Sequence, residues 1–221
     1  GSYARPTSLP AVINSRKCFN SNFCFNPQRD LLVFSRCNRA GDGDLQCALW
    51  ESRREKKGWS KPQKLPSVIN MEGYSSLQPF LLIYDNHSVL YFVSNRPKGY
   101  GGLDIWYSIS KDGKYNPPVN LGSTINTEGN EVTPFYDAET STLYFSSDEH
   151  LGIGDYDIFY SNGALSQWGE VSNMGVPFNS AYNDFYFAPN QDEKSGFFTS
   201  NRPHDGAAPE DTCCNDIFHF R

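Results

Sequence analysis

The sequence predicts an all-β fold, a small β-propeller of four blades with four antiparallel strands each. Three observations carry this prediction. An asparagine-centred segment recurs at a nearly constant interval. Each interval holds the same succession of short apolar runs bounded by turn residues. No comparable run has the 3.6-residue periodicity of a helix. Aromatic residues, 15% of the chain, suit strands, and the Gly, Pro, Asn and Asp between the runs suit turns.

The repeat is read most clearly in Val68-Ile69-Asn70-Met71-Glu72-Gly73, which returns as Thr124-Ile125-Asn126-Thr127-Glu128-Gly129. Looser copies are Val12-Ile13-Asn14-Ser15 and Pro177-Phe178-Asn179-Ser180, so that Asn14, Asn70, Asn126 and Asn179 lie 56, 56 and 53 residues apart. The repeats run approximately over 11–66, 67–122, 123–175 and 176–221, within one domain. After each asparagine an innermost strand is expected, as in 78–84, then a second strand such as Val89-Leu90-Tyr91-Phe92-Val93-Ser94, then a third such as Leu103-Asp104-Ile105-Trp106-Tyr107-Ser108. A fourth follows Trp59, Tyr115 and Trp168, and its prolines fit an outer edge where a missing N–H costs little. The last repeat ends after its third strand. Tyr3-Ala4-Arg5-Pro6-Thr7-Ser8-Leu9-Pro10 imitates Trp59 to Pro66, so residues 3–10 are expected to complete the last blade and remove an open edge. The alternative is a stray tail, with five or more blades in the parent chain.

Nineteen Lys and Arg stand against 25 Asp and Glu, a formal charge of −6, which gives no support to a binder of nucleic-acid backbones. No run of 18 apolar residues could span a membrane as a helix. Gly1-Ser2 reads as a cloning remnant, so the chain is expected to be a domain cut from a longer protein. The six cysteines form no CxxC pair, which disfavours zinc; an even count favours disulfides in an oxidising compartment over buried or unpaired thiols. Cys37–Cys47 is expected within the first blade. Cys18 is expected to join Cys213 or Cys214 across the closure, and Cys24 to face the core or a partner cysteine.

Asp104, Asp157 and Asp216 recur just before the apolar pair of the third strand, where the first repeat has Ala48. The expected role is structural: a carboxylate beside a glycine-rich hairpin accepts backbone amides. No regular oxygen spacing suggests calcium, and Gly99-Tyr100-Gly101-Gly102 joins strands instead of opening a helix, so it is not a nucleotide loop. Glu72, Glu128, Glu131 and Asp184 raise the question of a glycosidase pair, but they recur with the fold period. His87, His150, His204 and His219 are scattered. No catalytic residue, metal or cofactor is therefore expected. The enlarged loops 36–46 and 202–215 should share one rim, and His204, Asp205, Glu210, Asp211 and Tyr100 are the candidate binding residues there.

The runs Val93-Ser94-Asn95-Arg96-Pro97-Lys98-Gly99-Tyr100-Gly101-Gly102-Leu103-Asp104-Ile105-Trp106 and Asn120 to Glu131 resemble the WD40-like PD40 propeller repeats of peptidoglycan-associated OmpA-family lipoproteins of Bacteroidetes. Tyr144 to Gly154 continues the likeness, and Ser200-Asn201-Arg202-Pro203 with Asp216-Ile217-Phe218 recovers it in the last repeat. The resemblance implies a non-enzymatic periplasmic module held near the outer membrane by its parent lipoprotein, with one branch similar to a type IX secretion component. It implies envelope proteins as partners, with peptidoglycan bound through another domain of the parent. The leading expectation is accordingly a protein-interaction scaffold. A carbohydrate or peptidoglycan-fragment binding module is the alternative, and a glycoside hydrolase a third reading.

Overall fold

A computed structural model describes residues 5, 7–14, 18–39, 43, 45–84, 87–190, 194–203 and 215–221. Among them the chain forms eighteen strands and no helix, arranged as four antiparallel sheets, a four-bladed propeller. The first blade comprises β1 (Phe19–Phe25), β2 (Leu31–Arg39), β3 (Leu45–Glu55), β4 (Gly58–Trp59) and β5 (Gln63–Lys64). The second comprises β6 (Ser76–Tyr84), β7 (His87–Ser94), β8 (Asp104–Lys111), β9 (Lys114–Tyr115) and β10 (Val119–Asn120). The third comprises β11 (Glu131–Asp137), β12 (Thr142–Ser147), β13 (Asp157–Ala164), β14 (Gln167–Trp168) and β15 (Ser172–Asn173). The fourth holds β16 (Asp184–Asn190), β17 (Ser195–Ser200) and β18 (Asp216–Phe220). The expected outer strand is thus split into two short pieces that both pair with the third strand. In the first two blades the interruption contains Pro62 or Pro117-Pro118, which lack the N–H a continuous ladder would need.

In the first three blades the second strands are buried on both faces, which is why they read as unbroken apolar runs: Leu32, Val33, Leu90, Phe92, Val93 and Leu143 have 1% exposure or less. Their two faces feed cores on either side. Val89, Tyr91 and Val93 pack toward the third blade with Ile105, Val132, Tyr136 and Phe145. Leu90 and Phe92 pack toward the first with Val33, Leu49 and Ile69. Ile158, Phe187 and Phe198 join the third blade to the fourth.

The repeat asparagines tie successive blades together. Asn126 Oδ1 accepts the Ile105 N–H at 2.8 Å, and its Nδ2 donates to the Ile105 carbonyl at 3.0 Å and to Asn120 Oδ1 at 2.8 Å. Asn179 treats Ile158 and Asn173 in the same way. Asn70 clasps the Leu49 N–H and carbonyl, and because Lys64 replaces the second asparagine there, its remaining hydrogen goes to the Leu65 carbonyl at 2.8 Å. The side-chain amide stands in for a neighbouring strand along one residue of β3, β8 or β13. A second device closes each turn. The carbonyl before the asparagine accepts from Arg36 at Ile13, from Arg96 at Ile69, from the His150 ring at Ile125 and from Arg202 at Phe178. Each guanidinium also lies over an aromatic pair, 4.7 and 5.4 Å from the Phe92 and Trp106 ring centres for Arg96, adding cation–π attraction.

The seam between the last and first blades departs from expectation. Thr7–Pro10 has no strand geometry, and among the described residues the fourth sheet has three strands; residues 3, 4 and 6 of the expected closing segment lie outside the described residues. Leu9 packs on Ile13, Leu32 and Phe34, the equivalents of the Ile69, Leu90 and Phe92 that Leu65 meets, so the segment keeps that apolar contact without its backbone joining the fourth sheet. Asn14 is exposed. Ile217, in the register of Leu49, Ile105 and Ile158, is 74% exposed where those three are fully buried.

The clasps and the seam give opposite expectations for the same substitution. Asn126→Ala should cost about 2–4 kcal/mol, because a buried N–H and carbonyl of Ile105 lose their partners. Asn14→Ala should cost less than about 0.5 kcal/mol, as at an ordinary surface site. Urea unfolding of the two variants measures both, and a large loss in Asn14→Ala would mean that the seam is clasped after all.

Candidate functional site

The innermost strand of every blade carries a bulge at the same height: the register shifts between Ser21 and Phe23, Leu77 and Phe80, Val132 and Phe135, and Phe185 and Ala188. At each shift one non-glycine residue takes a left-handed backbone, Asn22 (φ 46°), Gln78 (50°), Thr133 (55°) and Tyr186 (55°). Such conformations cost about 1–3 kcal/mol each and gather where function needs them. Bulges re-aim side chains and local strand direction. Here they place four polar side chains around the axis.

These residues form a hydrogen-bonded ring. Gln78 N–H donates to Ser35 Oγ at 2.9 Å, Thr133 N–H to Gln78 Oε1 at 2.9 Å and Tyr186 N–H to Thr133 Oγ1 at 3.4 Å. The Tyr186 hydroxyl accepts from Asn22 Nδ2 and, at 3.4 Å, from Gln78 Nε2. Around the ring opens an axial cavity of about 310 Å³, walled further by Phe23, Phe25, Phe80, Phe135 and Phe187. Among the described lining residues none is charged. Phe80 and Phe135 lie 4.9 Å apart, centre to centre. Burial raises the Tyr186 phenol, which keeps it neutral, and pushes the Cys24 thiol in the same wall up to about 12, so it is no nucleophile.

The residues singled out in the sequence lie elsewhere. Asp104 accepts Tyr100 N–H at 2.6 Å, Gly101 N–H at 3.0 Å and Asn120 Nδ2 at 2.7 Å, and Asp157 accepts Ile153 and Gly154 N–H. Both hold glycine-rich loops as expected. Asp216 is an exposed residue of β18. Glu131 and Asp184 are fully buried at the starts of β11 and β16. The former accepts from Thr127 and Ser147, the latter from Ser180 and Arg202. Glu72 and Glu128 are exposed, so these acids do not converge on the axis. Of the expected rim, Tyr100 is 51% exposed; His204, Asp205, Glu210 and Asp211 lie outside the described residues. Cys37 and Cys47 face each other in β2 and β3 and form the expected disulfide. Cys18 is a free thiol directed at Asn20 Oδ1, 3.8 Å away, so the expected bridge across the closure is not made; Cys213 and Cys214 lie outside the described residues.

No model of a known protein family matches the sequence, and no curated protein matches it. Solved structures do match the fold. A GH43_12 protein retrieved from a capybara gut metagenome is 16% identical, with a TM-score of 0.58, covering 90% of this chain and 39% of its own. The Penicillium chrysogenum α-L-arabinanase complexed with arabinobiose is 16% identical, with a TM-score of 0.52, covering 87% and 60%. A GH43 β-1,3-galactosidase with galactodeoxynojirimycin is 11% identical, with a TM-score of 0.51, covering 92% and 72%. The chain spans less than two thirds of the first two. At these identities the likeness shows the fold alone. The expectation of a non-catalytic interaction scaffold that is no enzyme is corrected on this point: glycoside hydrolases are prominent among the propellers of this fold, so the fold gives that expectation no support. The physical reason the expectation went astray is that repeat residues report on blades, whereas the axis, where a propeller can hold a small ligand, is built from bulge residues that do not repeat in kind.

Among the described carboxyl groups, burial raises Glu131 above its ordinary 4.5, against the pull of its Thr127 and Ser147 donors and of His150. A carboxyl held above its unfolded value binds its proton more tightly in the folded state. Its contribution is therefore complete in acid and fades as pH rises from about 4.5 through the raised folded value. Glu131→Gln should flatten the fall in melting temperature across that window, relative to the parent protein. Parallel melting curves for the two, followed by circular dichroism, would contradict it.

Proposed function

We propose that the chain is a glycan-handling propeller of the bacterial envelope that seats a neutral sugar segment in its axial pocket. The observation that carries this reading is the make-up of that pocket: aromatic faces from Phe23, Phe80 and Phe135, hydrogen-bonding groups from Asn22, Gln78, Thr133 and Tyr186, and no charge among the lining residues. A sugar presents apolar C–H faces ringed by hydroxyls, and mixed aromatic and polar walls are complementary to both. At about 310 Å³ the cavity falls at the small end of ordinary ligand pockets. Among the solved matches are an α-L-arabinanase and a β-1,3-galactosidase, which lends support to sugar chemistry.

Glycoside hydrolysis uses two carboxyl groups about 5–10 Å apart. The axial walls supply recognition, and a hydrolytic pair would sit outside them. The envelope assignment draws on the resemblance of residues 93–106 and 120–131 to PD40 repeats of OmpA-family lipoproteins. The Cys37–Cys47 bridge, a feature of oxidising compartments, supports a periplasmic location. In that setting the parent chain would reach peptidoglycan and envelope proteins through other domains.

Titration calorimetry with neutral arabino-, galacto- and N-acetylglucosamine oligosaccharides, with reducing-sugar release followed in parallel, tests the reading. At least one oligosaccharide should bind saturably. Tyr186→Ala should weaken it about tenfold, the loss of one aromatic contact and one hydroxyl. Absence of saturable binding across the panel would remove the reading.

A further inference from the structure

Among the described residues the first blade lacks the carboxylate clamp of the second and third, and a cavity stands where the clamped loop would be. In the second blade the loop Gly99–Gly102 folds back onto the segment after Asn126. The Gly102 N–H donates to the Gly129 carbonyl at 2.8 Å, and a Cβ on Gly101 would collide with the carbonyls of Gly129 and Thr127. Asp104 secures that loop through two N–H groups. The third blade repeats the arrangement, with Gly154 against the carbonyls of Ser180 and Tyr182 and Asp157 as the clamp.

In the first blade Ala48 occupies the clamp position, opposite Arg36. β2 and β3 instead continue outward as a long hairpin held by the Cys37–Cys47 bridge. Among the described residues no glycine loop covers the segment after Asn70, and Met71 and Tyr74 remain 41% and 36% exposed. The vacated seat is a cavity of about 420 Å³, lined by Ala48, Trp50, Arg36, Arg39, Lys64 and the 70–74 segment. Lys64 holds the register of Asn120, the side chain that reaches the Asp104 carboxylate in the second blade. Among the described lining residues Glu72 is the one acid, against the three cations Arg36, Arg39 and Lys64.

We propose that this cavity binds a small acid carrying an amide N–H beside its carboxylate. The carboxylate takes the place that Asp104 and Asp157 fill in the other blades, over Ala48 and within the field of Lys64, Arg36 and Arg39. The amide takes the place of the Gly102 N–H, toward the uncovered segment at Gly73, the counterpart of Gly129. Trp50, whose ring already carries the Arg36 guanidinium 4.6 Å from its centre, forms the flat wall. This site is separate from the axial pocket in position and in charge.

The test is titration calorimetry of the whole chain with N-acetylmuramic acid, N-acetylaspartate and uncharged N-acetylglucosamine. At least one acid should bind saturably at millimolar concentration or better, and N-acetylglucosamine should not bind at this site. Ala48→Asp restores the residue of the other blades, so the fold should tolerate it, as an unchanged melting temperature would show. It should weaken acid binding about tenfold or more by filling the carboxylate position with a like charge, and Lys64→Asn should weaken it several-fold. Tyr186→Ala should leave acid binding unchanged. Binding of the sugar acid alone or of the amino-acid derivative alone identifies the source of the ligand, and either supports the site. Failure of both acids to bind overturns the proposal. So does acid binding that Ala48→Asp and Lys64→Asn leave intact, or that Tyr186→Ala removes.

Discussion

The amide side chains of Asn70, Asn126 and Asn179 are what make separate sheets into a propeller. Each offers one acceptor and two donors in a plane, the same complement as a peptide group with a hydrogen to spare. Only this set can satisfy both the N–H and the carbonyl of one residue in the third strand of the preceding blade. An aspartate would lose the donors. Because the residue clasped is fully buried in all three cases, its backbone groups have no water to fall back on, and the clasp is a condition for burying it. The cation or imidazole over the neighbouring aromatic pair then holds the turn that presents the amide. The radial cores can pack only once this corner is fixed.

With the corners fixed, the innermost strands are driven together at the axis. Four strands converging there cannot all remain regular and still leave room for their side chains. The bulges at Asn22, Gln78, Thr133 and Tyr186 resolve the crowding, one per blade and at one height. The ring of hydrogen bonds that they share couples the four blades by a second route, independent of the clasps. The same geometry that relieves packing gathers amides, a hydroxyl and a phenol in one uncharged cavity. Fold and ligand chemistry meet at these positions, which is why strain is tolerated there.

Much of the blade architecture was legible in the chain because a single spacing repeats. The intervals between asparagines placed the blades, the Asp104 and Asp157 clamps were legible in their role, and Cys37–Cys47 was legible from the place of both cysteines beside one loop of the first blade. The seam was not legible. Thr7-Ser8-Leu9 has the right residues for an outer strand, and Leu9 meets Ile13, Leu32 and Phe34 as Leu65 meets Ile69, Leu90 and Phe92; that the backbone stays out of the fourth sheet is set by packing across the ring, which no local pattern encodes. The axial site was hidden for a different reason. Its four members share a backbone conformation and no side-chain type, and only Gln78-Pro79 and Thr133-Pro134 hinted at an irregular inner strand. Likewise the turn-closing cation changes both identity and position, from Arg96 and Arg202 to His150 and Arg36, so a search for one recurring residue passes over it.

A repeat fold makes departures informative, because what recurs answers to the blade and what fails to recur is released from that duty. The exchange at position 48 shows how one such release propagates. Without a carboxylate, the glycine loop loses the acceptor that folds it inward, and the hairpin must be held otherwise; the disulfide between directly opposed residues of β2 and β3 does so. The hairpin held there meets the next turn through the Cys47 N–H, which donates to Ser75 Oγ at 3.1 Å, and among the described residues Met71 to Tyr74 stay exposed. The asparagine that would have faced the carboxylate is likewise free to become Lys64, and with it the local charge changes sign. Cavity, covalent bridge and positive field are in this way consequences of one lost carboxylate, and their concentration in the first blade is what separates it chemically from the second and third.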